Sequence, residues 1–231
     1  MTSFSKFPLL FLALPLAAQG TRMPLQDAPA HRVLVDDDDG KVEIVPSASS
    51  VAPEAARKFH GGAILASPQI YTVYYGTAWS SPQHAAPMRR MNDGVTAFGV
   101  SERFAALKPQ GLDAFSFPVV NEGIAPTLPS QGSVTDLGLQ HFLHGSLRAR
   151  RLHPPTGNSL VVIFLAPGIR STLNGKPDGL AFQAYHSAYH DEAGLMRYVV
   201  VPFGASEEST RNTAEQAITA AILNPDGDGW Y

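Results

Sequence analysis

Hydrophobic residues recur over residues 60–231 in two patterns, short apolar runs and longer segments with helix signals. The short runs are rich in β-branched and aromatic residues, which is typical of buried strands, and they cover residues 70–75, 160–165 and 198–203. The run at 160–165 is apolar on both faces, as expected for the centre of a sheet. The helical segments cover residues 82–107, 134–150 and 213–223. This alternation predicts an α/β fold, a mixed β-sheet packed with helices that ends in a C-terminal helix.

The first 18 residues have the composition of a secretory signal peptide. Lys6 follows five uncharged residues, an apolar stretch covers residues 7–16, and small residues suited to signal peptidase follow it. The apolar stretch is too short to cross a bilayer, which needs about 20 residues. Cleavage after Ala18, or as a second choice after Gly20, is favoured over a buried N-terminal helix. We therefore expect a secreted protein, extracellular or periplasmic, with no membrane attachment after cleavage.

The composition of residues 19–59 is poorly suited to forming a hydrophobic core. They contain the acidic run 36–39 and a small, polar, proline-containing stretch at 46–56. Closely spaced like charges repel and stay hydrated, so the segment is predicted to be a flexible or loosely docked arm. A calcium site at the four aspartates is less favoured than a solvated acidic turn, because consecutive carboxylates cannot all face one ion. The remaining residues, 60–231, are predicted to form one α/β domain.

Composition narrows the partners and the origin of the chain. Its 231 residues include no cysteine, which favours a bacterial exported protein over a disulfide-rich eukaryotic one. The net charge of −3 gives no electrostatic footprint for nucleic acid. The basic cluster of Arg148, Arg150 and Arg151 is interpreted as the solvated C-terminal end of a helix, where the helix dipole favours positive charge.

Four segments in order resemble the exordium, or phosphate-induced protein 1, family and its bacterial relatives. Residues 60–65 and 70–79, with the sequences HGGAIL and IYTVYYGTAW, resemble the opening signature of that family. Residues 160–168 resemble its central strand and Pro-Gly turn, residues 184–187 its Tyr-His-Ser stretch, and residues 198–203 the strand before its last helix. The resemblance implies a zincin-like arrangement ending in a C-terminal helix. For plant members it implies a role in growth signalling outside the cell.

Bacterial members of that family often carry a zincin-like H-E-x-x-E motif on the last helix, before an Asp-Pro and a Gly-Trp-Tyr-Asp turn. Aligning Asn224 and Pro225 with that Asp-Pro places Gln216 at the histidine, Ala217 at the first glutamate and Ala220 at the second. Alanine has no ligand atom, and a glutamine oxygen is a poor zinc ligand. We therefore expect no metal at the degenerate motif formed by Gln216, Ala217 and Ala220.

Two other groups of residues are weak metal candidates. His186 and His190 are four residues apart, a spacing that would align both imidazoles only if the segment were helical. His141 and His144, three apart in the segment 134–150, are weaker still. The tail Asn224-Pro225-Asp226-Gly227-Asp228-Gly229 matches the start of an EF-hand loop, but its last acidic ligand is missing, so a tight turn is favoured over a calcium site.

The sequence therefore predicts a secreted exordium-like pseudoenzyme, without a cofactor, that binds an unknown extracellular or cell-wall partner and no nucleic acid. The alternative is a zinc-dependent, peptidase-like hydrolase with a displaced metal site, for instance at His186 and His190. A degraded copy without function is a third hypothesis.

Overall fold

The computed structural model describes residues 32–35, 41–47, 61–108, 112, 117–125 and 131–227. The strands in these ranges are β1 (Arg32–Val35), β2 (Lys41–Pro46), β3 (Gln69–Tyr75), β4 (Val119–Ala125), β5 (Gly132–Thr135), β6 (Ser159–Leu165), β7 (Ile169–Leu173), β8 (Lys176–Pro177), β9 (Phe182–Asp191) and β10 (Gly194–Val201). The helices are α1 (Ala85–Phe98), α2 (Glu102–Ala105), α3 (Asp136–Arg148) and α4 (Glu207–Leu223), and two short 3₁₀ turns, Thr77–Ser80 and Pro82–His84, precede α1.

Seven of the described strands form one mixed sheet in the order β1-β2-β9-β10-β6-β3-β4. The strands β10, β6, β3 and β4 run parallel to one another. On the other side of β10, the pairs β10–β9, β9–β2 and β2–β1 are antiparallel. A smaller sheet has the order β5-β7-β8. The predicted α/β fold with a mixed sheet and a C-terminal helix is confirmed.

The helices cover both faces of the large sheet. On one face α4 packs on β9, β10 and β2, and α1 packs beside α4. The Tyr74 hydroxyl of β3 points to this face and donates to the Met88 carbonyl of α1 over 2.9 Å. The neighbouring residue Tyr75 points to the other face and packs edge-on against Phe142 of α3, with 5.1 Å between ring centres. We call these two sides the α4 face and the α3 face.

The three predicted strands are confirmed, and their burial explains the pattern. Every residue of β6 is buried, because β6 lies between β3 and β10 and is covered on both faces. The helix predicted at 82–107 is divided into a 3₁₀ turn, α1 and α2, and Ser101 caps α2 by accepting the Phe104 N–H. Ser206 caps α4 in the same way.

The N-terminal segment differs from its prediction where the structure describes it. Residues 41–46 form β2, which pairs with β9, and Val42 and Ile44 belong to the core. The interpretation of residues 19–59 as a loosely docked arm is therefore wrong for β2. The reason is that alternate apolar residues of β2 enter the hydrophobic core when β2 pairs with β9. This pairing joins segments far apart in the chain, so the local composition does not reveal it. The signal peptide at 1–18 and the acidic run at 36–39 lie outside the described residues.

No helix in the described ranges is long and apolar enough to cross a membrane.

Candidate functional site

The C-terminal helix α4 carries the positions that align with a metal motif, and it buries two of them. Ala217 and Ala220 are 0% and 3% exposed, while Gln216 faces solvent. The backbone N–H of Leu65 donates to the Ile222 carbonyl over 2.9 Å, which ties the end of the helix to the segment before β3. Ala217 belongs to the hydrophobic core and Ala220 is buried as well, so both positions serve packing.

A buried polar cluster lies where α4 ends. The residues Glu43 on β2, His186 on β9 and Asn224 after α4 are each less than 5% exposed. The Asn224 amide donates to Glu43 Oε2 over 2.6 Å, and His186 Nε2 lies 3.1 Å from the same oxygen. Because Glu43 and His186 are directly opposite each other in paired strands, the cluster joins both ends of the described chain through the sheet. We call this cluster the terminal lock.

The residues after α4 form a turn that is held by an ion pair. The Gly227 N–H donates to the Asn224 carbonyl over 3.2 Å, and Gly227 has a φ of +67°, which favours glycine. Asp226 accepts two hydrogen bonds from Arg197, at 2.6 and 3.2 Å, and Arg197 also donates to the Gly157 carbonyl. The predicted tight turn is present, and the side chains of Asn224 and Asp226 are engaged within the protein. Residues 228–231 lie outside the described residues.

The two metal candidates His186 and His190 lie on a strand. Both belong to β9, and four residues along a strand span about 13 Å, so the helical alignment of the two imidazoles does not form. His186 is part of the terminal lock, and His190 is exposed. In the described ranges no three His, Cys, Asp or Glu side chains are grouped so that they could hold a metal ion.

The weaker pair, His141 and His144, lies on α3 as predicted. His144 Nδ1 lies 2.7 Å from Asp191 Oδ2 at the end of β9. Burial works against ionisation of Asp191, but the Ala193 N–H and His144 outweigh it and hold the pKa of that carboxyl below its usual value. His144 therefore connects α3 to the sheet.

A second buried polar cluster lies on the α3 face. The Asp136 carboxylate begins α3 and accepts hydrogen bonds from the Tyr198 hydroxyl and the Gln140 amide, each at 2.8 Å. Burial, and next to it the Asp136 charge, raises the pKa of Tyr198 well above its usual value, so the phenol stays protonated as a donor. The buried Tyr185 is affected by the same two causes. This cluster fixes the N-terminus of α3 to the sheet.

A β-bulge on β4, one of the two edge strands of the large described sheet, produces the third polar group. Thr72 of β3 pairs with Asn121 and Val73 pairs with Gly123, so Glu122 has no partner residue in the ladder. The Asn121 side chain accepts the Gly123 N–H over 2.8 Å, and Gly123 has a φ of +96°. Bulges of this kind redirect a side chain and occur often beside functional sites.

The bulge directs Glu122 to His153. The Glu122 carboxylate forms a hydrogen bond with His153 Nδ1, and the imidazole stacks on Tyr71 with 5.4 Å between ring centres. The Glu122 side chain is 7% exposed and that of His153 61% exposed. This pair is not predicted from the sequence; the signal available was Gly123 inside a strand-like segment, which is typical of a bulge.

A cavity of about 60 Å³ lies between the bulge and α3. Its lining is formed by Val73, Glu122, Gly123, Ile124, Phe142, Leu143, Ser146, Arg151 and Leu152. We call it the bulge cavity. It combines an apolar interior with one acidic and one basic side chain, and it lies on the α3 face, away from the terminal lock.

No protein-family model, no curated protein and no solved structure matches this chain. The fold itself defines the class of protein. It is a mixed α/β protein in which seven of the ten described strands form one sheet, with α1 and α4 on one face and α3 with a small second sheet on the other.

Proposed function

We propose that this protein is an exported, exordium-like pseudoenzyme with a zincin-like ancestry, and that it acts by binding an extracellular or cell-wall partner. The observation that carries the proposal is the burial of Ala217 and Ala220 on α4. At these positions a zincin-like helix needs side chains that hold or polarise a metal-bound water, and two methyl groups do neither.

The terminal lock supports the same proposal. Glu43 and His186 are of the residue types that could serve hydrolysis, but they hydrogen-bond to each other and Asn224 also donates to Glu43. All three are buried, and a general base must reach the water that it activates. Their arrangement therefore favours a structural role for the polar residues beside α4.

The runner-up, a zinc-dependent hydrolase with a displaced site, gains no support from His186 and His190. A catalytic zinc needs three protein ligands around one ion, and these two residues lie about 13 Å apart along β9.

The deciding experiment measures zinc and calcium in the mature chain, residues 19–231, purified without chelator. We expect far less than one metal ion per chain and the same melting temperature with and without EDTA. About one tightly held zinc per chain would refute the pseudoenzyme proposal. In that case His190→Ala should remove the zinc if the runner-up is right, and His141→Ala, another exposed histidine, is the matched control.

Export is tested separately by mass spectrometry of the protein recovered outside the cytoplasm of an expressing bacterium. We expect its N-terminus at Gln19, or at Thr21 if cleavage follows Gly20. A protein that retains Met1 and stays in the cytoplasm would refute secretion.

A further inference from the structure

The Glu122 carboxylate has one oxygen that the described protein does not use. Oε1 is bonded to His153 Nδ1, whereas Oε2 has no hydrogen-bond partner among the described residues. The side chain is 7% exposed and lines the bulge cavity. Oε2 is not among the fully buried side-chain atoms that lack a partner, so it is accessible and free to accept a hydrogen bond from a ligand. The site is therefore suited to a ligand that brings an N–H or O–H group into the cavity.

The size of the bulge cavity limits what can enter. About 60 Å³ is far below the roughly 300–1,000 Å³ of pockets that enclose a whole small molecule. The cavity can therefore take one small group of a larger ligand. Most of its lining is apolar, with the side chains of Val73, Ile124, Phe142, Leu143 and Leu152. The part of the group that enters deepest should be apolar, because burying an unpaired polar atom against these walls would be costly.

The two charged lining residues define the polar part of the group. Glu122 can only accept hydrogen bonds while it is ionised, and Arg151 can only donate them. A secondary amide has one N–H donor and one carbonyl acceptor, and it matches this pair without bringing a net charge. A carboxylate would be repelled by Glu122, and an ammonium by Arg151. A methyl group next to the amide carbonyl would complete the fit to the apolar walls.

The imidazole of His153, which is bonded to the cavity residue Glu122, provides a surface for the rest of the ligand. One ring face stacks on Tyr71, and the side chain is 61% exposed. Glu122 holds Nδ1, which fixes the orientation of the ring. A flat, oriented ring of this kind suits the C–H face of a sugar ring, and its free Nε2 can hydrogen-bond a sugar hydroxyl.

We propose that the bulge cavity binds the acetamido group of an N-acetylated sugar. The methyl group occupies the apolar interior, Glu122 accepts the amide N–H, Arg151 donates to the carbonyl oxygen, and the sugar ring lies against His153. This inference rests on the proposed binding function and names the chemistry of its partner.

The test is an NMR titration of the isotope-labelled mature chain with tri-N-acetylchitotriose. Cellotriose is the matched ligand, because it has the same linkage and a hydroxyl in place of each acetamido group. We expect the amide signals of Gly123 and Ser146 to shift with a Kd of about 1 mM or tighter. Binding of cellotriose should be at least about tenfold weaker, because it leaves Glu122 and Arg151 unpaired.

Three variants locate the site. Ser146→Leu fills the cavity without touching Glu122 or His153, and Glu122→Gln removes the charge of the acceptor. Arg151→Met removes the donor from an exposed position, because methionine has no N–H group, so it remains informative if Ser146→Leu does not fold. Each should weaken binding at least about tenfold, and Glu102→Gln, an exposed residue on α2, should leave it unchanged.

The absence of signal shifts up to about 10 mM sugar, equal binding of cellotriose, or unchanged binding by Glu122→Gln and Arg151→Met would each overturn the inference. Tighter binding of N-acetyl-L-alanine methylamide than of the sugar would overturn the assignment to a sugar. The zinc measurement decides the proposed function separately. A metal-free protein that does not bind the sugar retains the pseudoenzyme proposal, whereas a zinc protein that binds it retains only this inference.

Discussion

Asn224→Ala is expected to destabilise the protein by breaking the terminal lock. The substitution removes the amide that donates to Glu43 Oε2 over 2.6 Å. Both residues are less than 5% exposed, so water cannot readily replace the lost donor. Leaving a buried acceptor with one donor fewer costs about 1–3 kcal/mol, and we expect about 2 kcal/mol here. The backbone should tolerate alanine, because Asn224 has a φ of −144°.

The assay is equilibrium unfolding in urea, with thermal unfolding as a second measurement. For a chain of this size each kcal/mol corresponds to about 2–4 °C in Tm, so a loss of about 4–8 °C is expected. Asn212→Ala is the matched control on α4, because that amide makes no hydrogen bond within the described residues. It should be neutral or slightly stabilising, since alanine favours a helix.

A double-mutant cycle identifies the partner. If Asn224 acts through Glu43, then Asn224→Ala should cost at least about 1 kcal/mol less in a Glu43→Met background, which has no oxygen to accept the amide, than in the natural chain. A loss below about 0.5 kcal/mol for Asn224→Ala, or costs that add without coupling, would refute the terminal lock.

Three other substitutions test separate parts of the structure. Arg197→Met should lower the free energy of unfolding in urea by about 2 kcal/mol. This is less than the loss expected on breaking a fully buried ion pair, because the Asp226 side chain is 27% exposed. A loss below about 0.5 kcal/mol would contradict the ion pair. Above about pH 10, Tyr198 loses its proton in the unfolded chain but keeps it in the folded protein, so stability should fall as the pH rises. The fall should be less steep in Tyr198→Phe, and equal slopes would contradict the raised pKa of Tyr198. In thermal unfolding, Gly76→Ala should destabilise the protein by at least about 2 kcal/mol more than Gly61→Ala. Both glycines have positive φ, but only at Gly76 would a Cβ lie 2.5 and 2.7 Å from neighbouring side chains. Similar losses of stability in the two variants would contradict that packing.

The parts of the fold that could be predicted are those specified by neighbouring residues. β3, β6 and β10 are rich in β-branched and aromatic residues, and α4 has a capping serine before its acidic first turn. These signals act within a few residues and do not depend on the rest of the chain.

The parts that could not be predicted depend on distant partners. β2 is identified as a strand only by its pairing with β9, and β9 itself has alanine, serine and histidine in place of β-branched residues. The histidine spacing within β9 suits a helix as well as a strand. The polar clusters have the same limitation, because Glu43 meets Asn224 across 181 positions of sequence.

The two faces of the sheet differ in what their polar side chains can offer a partner. On the α4 face, Glu43, His186, Asn224 and Arg197 are buried and bonded to one another, to Asp226 or to backbone, so these groups stabilise the closure of the chain. On the α3 face, the bulge leaves one Glu122 oxygen unused beside a cavity and holds an exposed imidazole at a fixed orientation. A protein that had replaced metal chemistry at its last helix by packing would need another surface for recognition, and this difference favours the α3 face as the place to search for it.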